Sequence, residues 1–283
     1  MIIEKHEDKC SECMLCVREC VSGVWRIVDD KSKPTHVDLC NLCSHCIAVC
    51  PCDAISHDLL KKEQIVAVNR KNINPDVCRD IIISRRSIRQ YKNECVPRGV
   101  IEQIIDLARY APTASNDQNV AYIVITDKRL IEETANYIFG FANRLYHKTK
   151  KGIGRFLVKI AGLASNRYLE KMDYVSQQNA KNGRDFILHN APVLILVHAP
   201  KRKPFASDNC NIAATTIINY AHALGLGTCF IGFLTIALQF SGKLRKKLGV
   251  PENRRVYATL VMGYPAYHHV KTVSRKNPEV QWL

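Results

Sequence analysis

No Gly-x-Gly-x-x-Gly follows a strand-like run in the 283 residues. The nearest approach, "GLGTCF" at residues 225–230, lacks the third glycine, so a dinucleotide-binding fold is not indicated. No apolar run of membrane-spanning length is uninterrupted either. "YAHALGLGTCFIGFLTIALQF" is long enough to cross a bilayer. Three glycines, a histidine and a glutamine break it up, and it reads as helix, turn and strand with no membrane span expected. The opening "MIIEKHEDKC" has neither the basic nor the apolar region of an export signal. Acid is scarce: 26 Asp and Glu stand against 41 Lys and Arg, a formal charge of +15. That balance favours anionic partners without choosing one. No nucleic-acid motif accompanies the basic residues, so no specific nucleic-acid binding is expected.

Cysteine is abundant, at thirteen. Without an export signal, so many thiols predict a reducing cytoplasmic setting and metal ligation rather than disulfides. Eight of them form two quartets, "CSECMLCVREC" and "CNLCSHCIAVCP". Close spacing lets one tight loop present three thiolates to three irons of a cubane, while a fourth arrives from elsewhere. Zinc sites normally draw on two separated cysteine pairs, which these quartets do not supply. Cys52, Cys78, Cys95, Cys210 and Cys229 lie outside the quartets and are expected to be buried as small hydrophobes. His45, between two quartet members, reads as a surface imidazole rather than one that tunes a potential.

Residues 5–57 resemble bacterial two-cluster ferredoxins, and "CPCDAI" matches the second half of that pattern. Val21 departs from it, standing where a proline is usual. The resemblance implies two [4Fe–4S] clusters with crossed fourth ligands. Cys10, Cys13, Cys16 and Cys50 would hold one, and Cys40, Cys43, Cys46 and Cys20 the other.

Downstream, "QIVAV" reads as a short strand within a charged linker. "VPRGVIEQIIDLARYAP" reads as a helix, with Pro97 in its first turn and Val100, Ile101, Ile104, Ile105 and Ala108 on its apolar face. "VAYIVITD", "APVLILVHAP" and "RRVYATLVMGYP" read as strands, the second buried on both faces. "ASDNCNIAATTIINYAHALGLG" reads as a core helix ending at Gly225 or Gly227. Strands alternating with helices predict an α+β or α/β sandwich around one sheet. The expected organisation is a two-cluster domain over 1–60, a linker over 61–78 and a second domain over 79–283. Residues 141–185 form a basic insertion or lid: from Arg144 to Lys171 there are eight lysines and arginines and one acid, Glu170.

"SRRSIRQY", residues 84–91, packs three arginines and two serines into a compact anion receptor. Alone, it is equally a solvated basic turn or a kinase substrate. "APTASNDQN" at 111–119 and "GYPAYHHVKTVSR" near the end accompany it. With these motifs, residues 79–283 resemble the nitroreductase family of FMN-dependent flavoproteins. The fold implied is α+β, a ferredoxin-like domain followed by a nitroreductase-like α/β sandwich.

The resemblance also implies roles. Arg85 and Ser87 would bind phosphate and ribityl oxygens, and Arg89 would face the pyrimidine edge of the flavin. Arg86 belongs to the same cofactor set, with an acid as its other partner. Pro112, Thr113, Ala114 and Asn116 would reach the flavin from the second subunit of a homodimer. Ile231 and Gly232 would offer backbone contacts near N5. Arg275 would close on the phosphate, with Lys271 and Lys276 as substitutes. No side-chain acid or base stands out as catalytic. The function implied is an oxidoreductase that takes single electrons through two clusters from reduced ferredoxin. It would pass a hydride from FMN to a small electron-poor acceptor: a nitroaromatic, a quinone or an activated alkene. The alternatives are an electron carrier or redox sensor without turnover, and a reductive dehalogenase of the same fold.

Overall fold

The structure, a computed structural model, describes residues 1–149 and 185–283, with the side chains of 142–149 excepted. The basic segment of the expected insertion therefore lies largely outside the described residues. The chain divides into two compact units, one of Met1–Asn74 with Ala114–Asp117, the other of Pro75–Thr113 with Gln118–Leu283.

The first unit contains two antiparallel ribbons and two short helices. β1 (Ile3–Lys5) pairs with β4 (Ile55–His57), and β2 (Trp25–Val28) with β3 (Lys31–Pro34). α1 (Leu15–Glu19) and α2 (His45–Ala48) begin thirty residues apart, as do the two cysteine quartets. Its apolar core is small: Ile3, Val24, Trp25 and Ile55 are buried with Cys16, and Cys20, Cys40, Cys46 and Cys50 pack against them.

The second unit is three-layered. α3 (Pro75–Ser84), α4 (Arg98–Ala108), β5 (Ala121–Ile125) and α5 (Lys128–Thr149) precede β6 (Val193–Pro200). α6 (Ala206–Ala223), β7 (Gly227–Phe230), α7 (Gly232–Phe240), α8 (Gly242–Lys247) and β8 (Arg254–Gly263) follow. The sheet order is β5-β6-β8-β7, with every neighbour antiparallel. β6 is buried along almost its whole length because helices cover both faces. Successive side chains of a strand point to opposite faces. Val193, Ile195, Val197 and Ala199 join Ile101, Ile104 and Ala108 of α4 and Ala213, Ala214 and Ile217 of α6 in one core. Leu194 and Leu196 join Ile131 and Ile138 of α5, Leu234 of α7 and Leu244 of α8 in the other.

α4 carries the expected face, with Val100 and Ile105 half-buried beside its three buried residues. α6 stops before Gly225, whose φ of 79° ends the helix as glycine permits. No described helix is long and apolar enough to cross a membrane. Two expectations fail. "QIVAV" forms no strand; Val66 and Val68 are 76% and 72% exposed, because no neighbouring strand offers them a ladder or an apolar face. Of the five extra cysteines only Cys210 and Cys229 are buried; Cys78 and Cys95 are exposed and Cys52 is half-buried. Cys78 sits on α3, which buries no residue, and Cys95 lies in an exposed loop.

Two glycines allow the chain between α3 and α4 to lie against the sheet. Ser87 forms a parallel bridge to Thr228 of β7, and Ile88 N–H donates to Thr228 O at 2.9 Å. A Cβ on Gly227 would fall 2.6 Å from Ile88, and one on Gly263 would fall 2.6 Å from Pro192 and 3.0 Å from Tyr91. At β6, His198 is 4% exposed and accepts a 2.7 Å hydrogen bond at Nδ1 from Arg254 Nε. Burial first, then the Arg254 charge, pulls its pKa down to about 4.

Overpacking costs about 1–3 kcal/mol. Gly227→Ala is expected to lower unfolding stability by that amount in urea melts, whereas Gly99→Ala, whose Cβ would meet nothing within 4 Å, leaves it unchanged or raised. His198 gives a second expectation. The unfolded chain binds more protons than the fold between its ordinary pKa of 6.5 and about 4. Stability therefore falls as pH drops through that window, by up to about 3 kcal/mol. His198→Asn keeps an acceptor for Arg254 and is expected to flatten this part of the profile.

Candidate functional site

In the first unit the cysteine loops wrap two holes. Glu12 and Met14 take left-handed φ of 50° and 60°; thirty residues on, Leu42 and Ser44 take 59° and 64°. Each such turn costs a non-glycine residue ~1–2 kcal/mol. These turns curl the backbone around the space the thiols face. The first hole encloses about 330 Å³ of empty space, mouth included, and Cys10, Cys13, Cys16 and Cys50 line it. The second encloses about 420 Å³ and is lined by Cys20, Cys40, Cys43 and Cys46. Each hole thus gathers three thiols from one quartet and the last thiol of the other. Leu42 N–H donates to Cys40 Sγ at 3.4 Å, and Ala54 N–H to Cys50 Sγ at 3.3 Å. Burial pushes the Cys16 and Cys46 thiols up. Among the described residues no three His, Cys, Asp or Glu side chains converge as a single metal ion would require. The thiols surround the holes instead.

Sequence reasoning missed several wall residues. Lys5, Ser32 and Cys52 line the first hole. Trp25 and His57 line the second. His45, singled out by its position between two cysteines, also lines the second hole; its side chain is 61% exposed, with Nδ1 3.2 Å from Glu19.

In the second unit, α3 ends at Ser84 and the chain turns into the extended stretch that runs beside β7. Burial, then the charges of Arg86 and Arg275, pull the pKa of Arg85 down. Arg275, exposed on the C-terminal segment, is near enough for its charge to act on Arg85. Arg86 donates from Nη1 to Arg85 O at 2.6 Å, while its Nε and Nη2 are buried without partners. Among the described residues Arg86 makes no ion pair with an acid. Ser87 and Arg89 are exposed, and Arg89 Nη1 lies 3.5 Å from Ser87 O. Cys229 of β7 is buried beside them, its thiol pushed up by burial against the pull of Arg89, Ser87 and Arg85. His222 at the end of α6 feels Arg85 and Arg86, and burial foremost lowers its pKa. Neither Cys229 nor His222 belongs to a local motif that could have revealed it.

Ile231 directly follows β7 and caps α7, its N–H bonded to Thr259 O at 2.9 Å. Gly232 opens that helix, where first-turn amides have no partner within the helix. Pro112 and Thr113 belong to the second unit, where Thr113 Oγ1 accepts from Gln118 N–H at 3.0 Å. Ala114 and Asn116 belong to the first, where Asn116 Nδ2 donates to Asn41 O at 2.9 Å. The structure thus gathers Arg85, Arg86, Ser87, Arg89 and Arg275, with Ile231 and Gly232 at the end of the adjoining strand.

Residues 82–264 match the nitroreductase family. An NADH dehydrogenase of Thermus thermophilus is 29% identical over 190 residues, which is 65% of this chain and 84% of that protein. An iodotyrosine deiodinase of Haliscomenobacter hydrossis is 24% identical, covering 64% of this chain and 76% of its own. A nitroreductase of Bacteroides fragilis solved with bound FMN has the same fold, at a TM-score of 0.56 and 21% identity over 74% of this chain and 100% of that one. By this match over most of its length, the chain belongs to the nitroreductase family and is an oxidoreductase.

Proposed function

We propose that the chain is an FMN-dependent oxidoreductase fed with single electrons through two [4Fe–4S] clusters. The observation that carries the flavin half is the arginine group. Arg86 Nε and Nη2 are buried donors without acceptors, and Arg85, Arg86 and Arg275 make no ion pair among the described residues. A buried donor left unpaired costs ~1–3 kcal/mol, so the arrangement calls for an anion. A phosphate fits, since guanidinium forks match its oxygens. Arg85, Arg86 and Arg275 would hold it, with Ser87 adding a hydroxyl. Arg89 would set positive charge beside the ring, and the Ile231–Gly232 backbone would border it. Bound FMN supplies a centre that takes electrons singly and delivers them in pairs.

The cluster half rests on the two four-thiol holes. Thiolates as buried as Cys16 and Cys46 need positive charge between them, and irons of a cubane provide it. Cys10, Cys13, Cys16 and Cys50 would ligate one cluster, and Cys20, Cys40, Cys43 and Cys46 the other. Such clusters supply one-electron relay, which suits a donor of the reduced-ferredoxin kind. The acceptor is a small electron-poor molecule such as a nitroaromatic, quinone or activated alkene. A homodimer with the flavin at its interface would let Pro112, Thr113, Ala114 and Asn116 act from the partner. The similarity to an iodotyrosine deiodinase favours reductive dehalogenation as a second reading.

Protein purified without oxygen is expected to carry two cubanes and one FMN per chain by iron, sulfide and flavin assay. A markedly different stoichiometry would refute the assignment. Arg85→Ala should weaken FMN binding by about tenfold or more, leaving the iron–sulfur absorption intact. Unchanged flavin occupancy would place the phosphate elsewhere.

A further inference from the structure

We propose that the hole lined by Cys20, Cys40, Cys43 and Cys46 holds the more oxidising of the two clusters, because Trp25 and His57 are built into its wall as hydrogen-bond donors to the ligand sulfurs. The inference rests on the two-cluster reading above.

Trp25 is 1% exposed, lines this hole, and its indole Nε1 is buried with no partner. β2 fixes it there through the Trp25–Pro34 register. Cys46 lines the same hole. The side chain of His57 is 1% exposed. Leu59 N–H donates to its Nδ1 at 3.1 Å, so the ring hydrogen resides on Nε2, 3.7 Å from Cys40 Sγ. The Asp58 carboxylate also approaches Nδ1, at 3.4 Å. With Nδ1 accepting from Leu59, Nε2 carries the hydrogen and faces the sulfur.

The first hole is walled differently. Lys5 is nearly buried there and engaged by Glu7 at 3.1 Å and Glu12 at 2.5 Å, which offset its charge. Ser32 bears on Cys16, but its hydroxyl is shared with Glu12 Oε2 at 3.4 Å and its N–H goes to the same oxygen at 3.2 Å. The backbone donors to Cys40 and Cys50 give each hole one and cancel. Donors at sulfur stabilise the extra electron of a reduced cluster. With both holes filled, an electron entering at the first would run downhill to the second.

The test is an anaerobic redox titration of the full-length holoprotein, followed by electron paramagnetic resonance. Two unequal midpoints are expected. Trp25→Phe and His57→Leu should each lower only the higher one, cutting the reduced fraction at a fixed poise about tenfold, or ~59 mV for one electron. Should a variant fail to assemble, wild-type protein labelled with 15N-tryptophan is expected to show nitrogen coupling to the first cluster reduced. Equal midpoints, unmoved midpoints, movement of the lower one, or absent coupling would overturn this inference alone. Protein lacking two clusters would overturn the reading beneath it as well.

Discussion

Eight thiols have to surround two empty spaces at the centre of a unit with almost no other interior, and the first unit is organised around that constraint. Its buried apolar residues are few. A segment this short hides too little surface to fold securely on hydrophobic burial alone. The non-glycine left-handed turns at Glu12, Met14, Leu42 and Ser44 add cost. A group bound in the holes would offset it, and its binding energy would then be folding energy. Trp25 belongs to the core and to the wall of the second hole at once.

The second unit follows the opposite logic. Two apolar cores on either side of β6 supply its stability, and charge is left over at one place. Gly227 lets the stretch after α3 press onto β7, which half-buries Arg85 and Arg86 while Arg89 stays exposed. Close packing and unpaired cations are in tension here. The sheet supplies the rigidity that keeps Arg86 Nε and Nη2 buried without a counterion among the described residues.

Much of this was legible in the sequence because the signals were local. Ligand spacing announced the quartets, and the period of apolar residues announced α4, β6 and α6. The unbroken apolar run of β6 reflected helices on both of its faces. "QIVAV" misled because a short apolar run says nothing about whether a neighbouring strand exists. His45 drew attention through sequence adjacency. His57 reaches Cys40 because it closes the β1–β4 ribbon opposite Ile3, a pairing across more than fifty residues. The Cys229 and His222 contacts with the arginines depend on the tertiary path of β7 and α6, and no local pattern encodes it.

The exchange of the last thiol between quartets has a consequence for assembly. Neither half of the first unit can close its own hole, because each lends a wall residue to the other. The two repeats are thus interlocked like clasped hands. The ribbon of β2 and β3 that joins them has to be traversed before either is complete, and a break in it would disable both halves together.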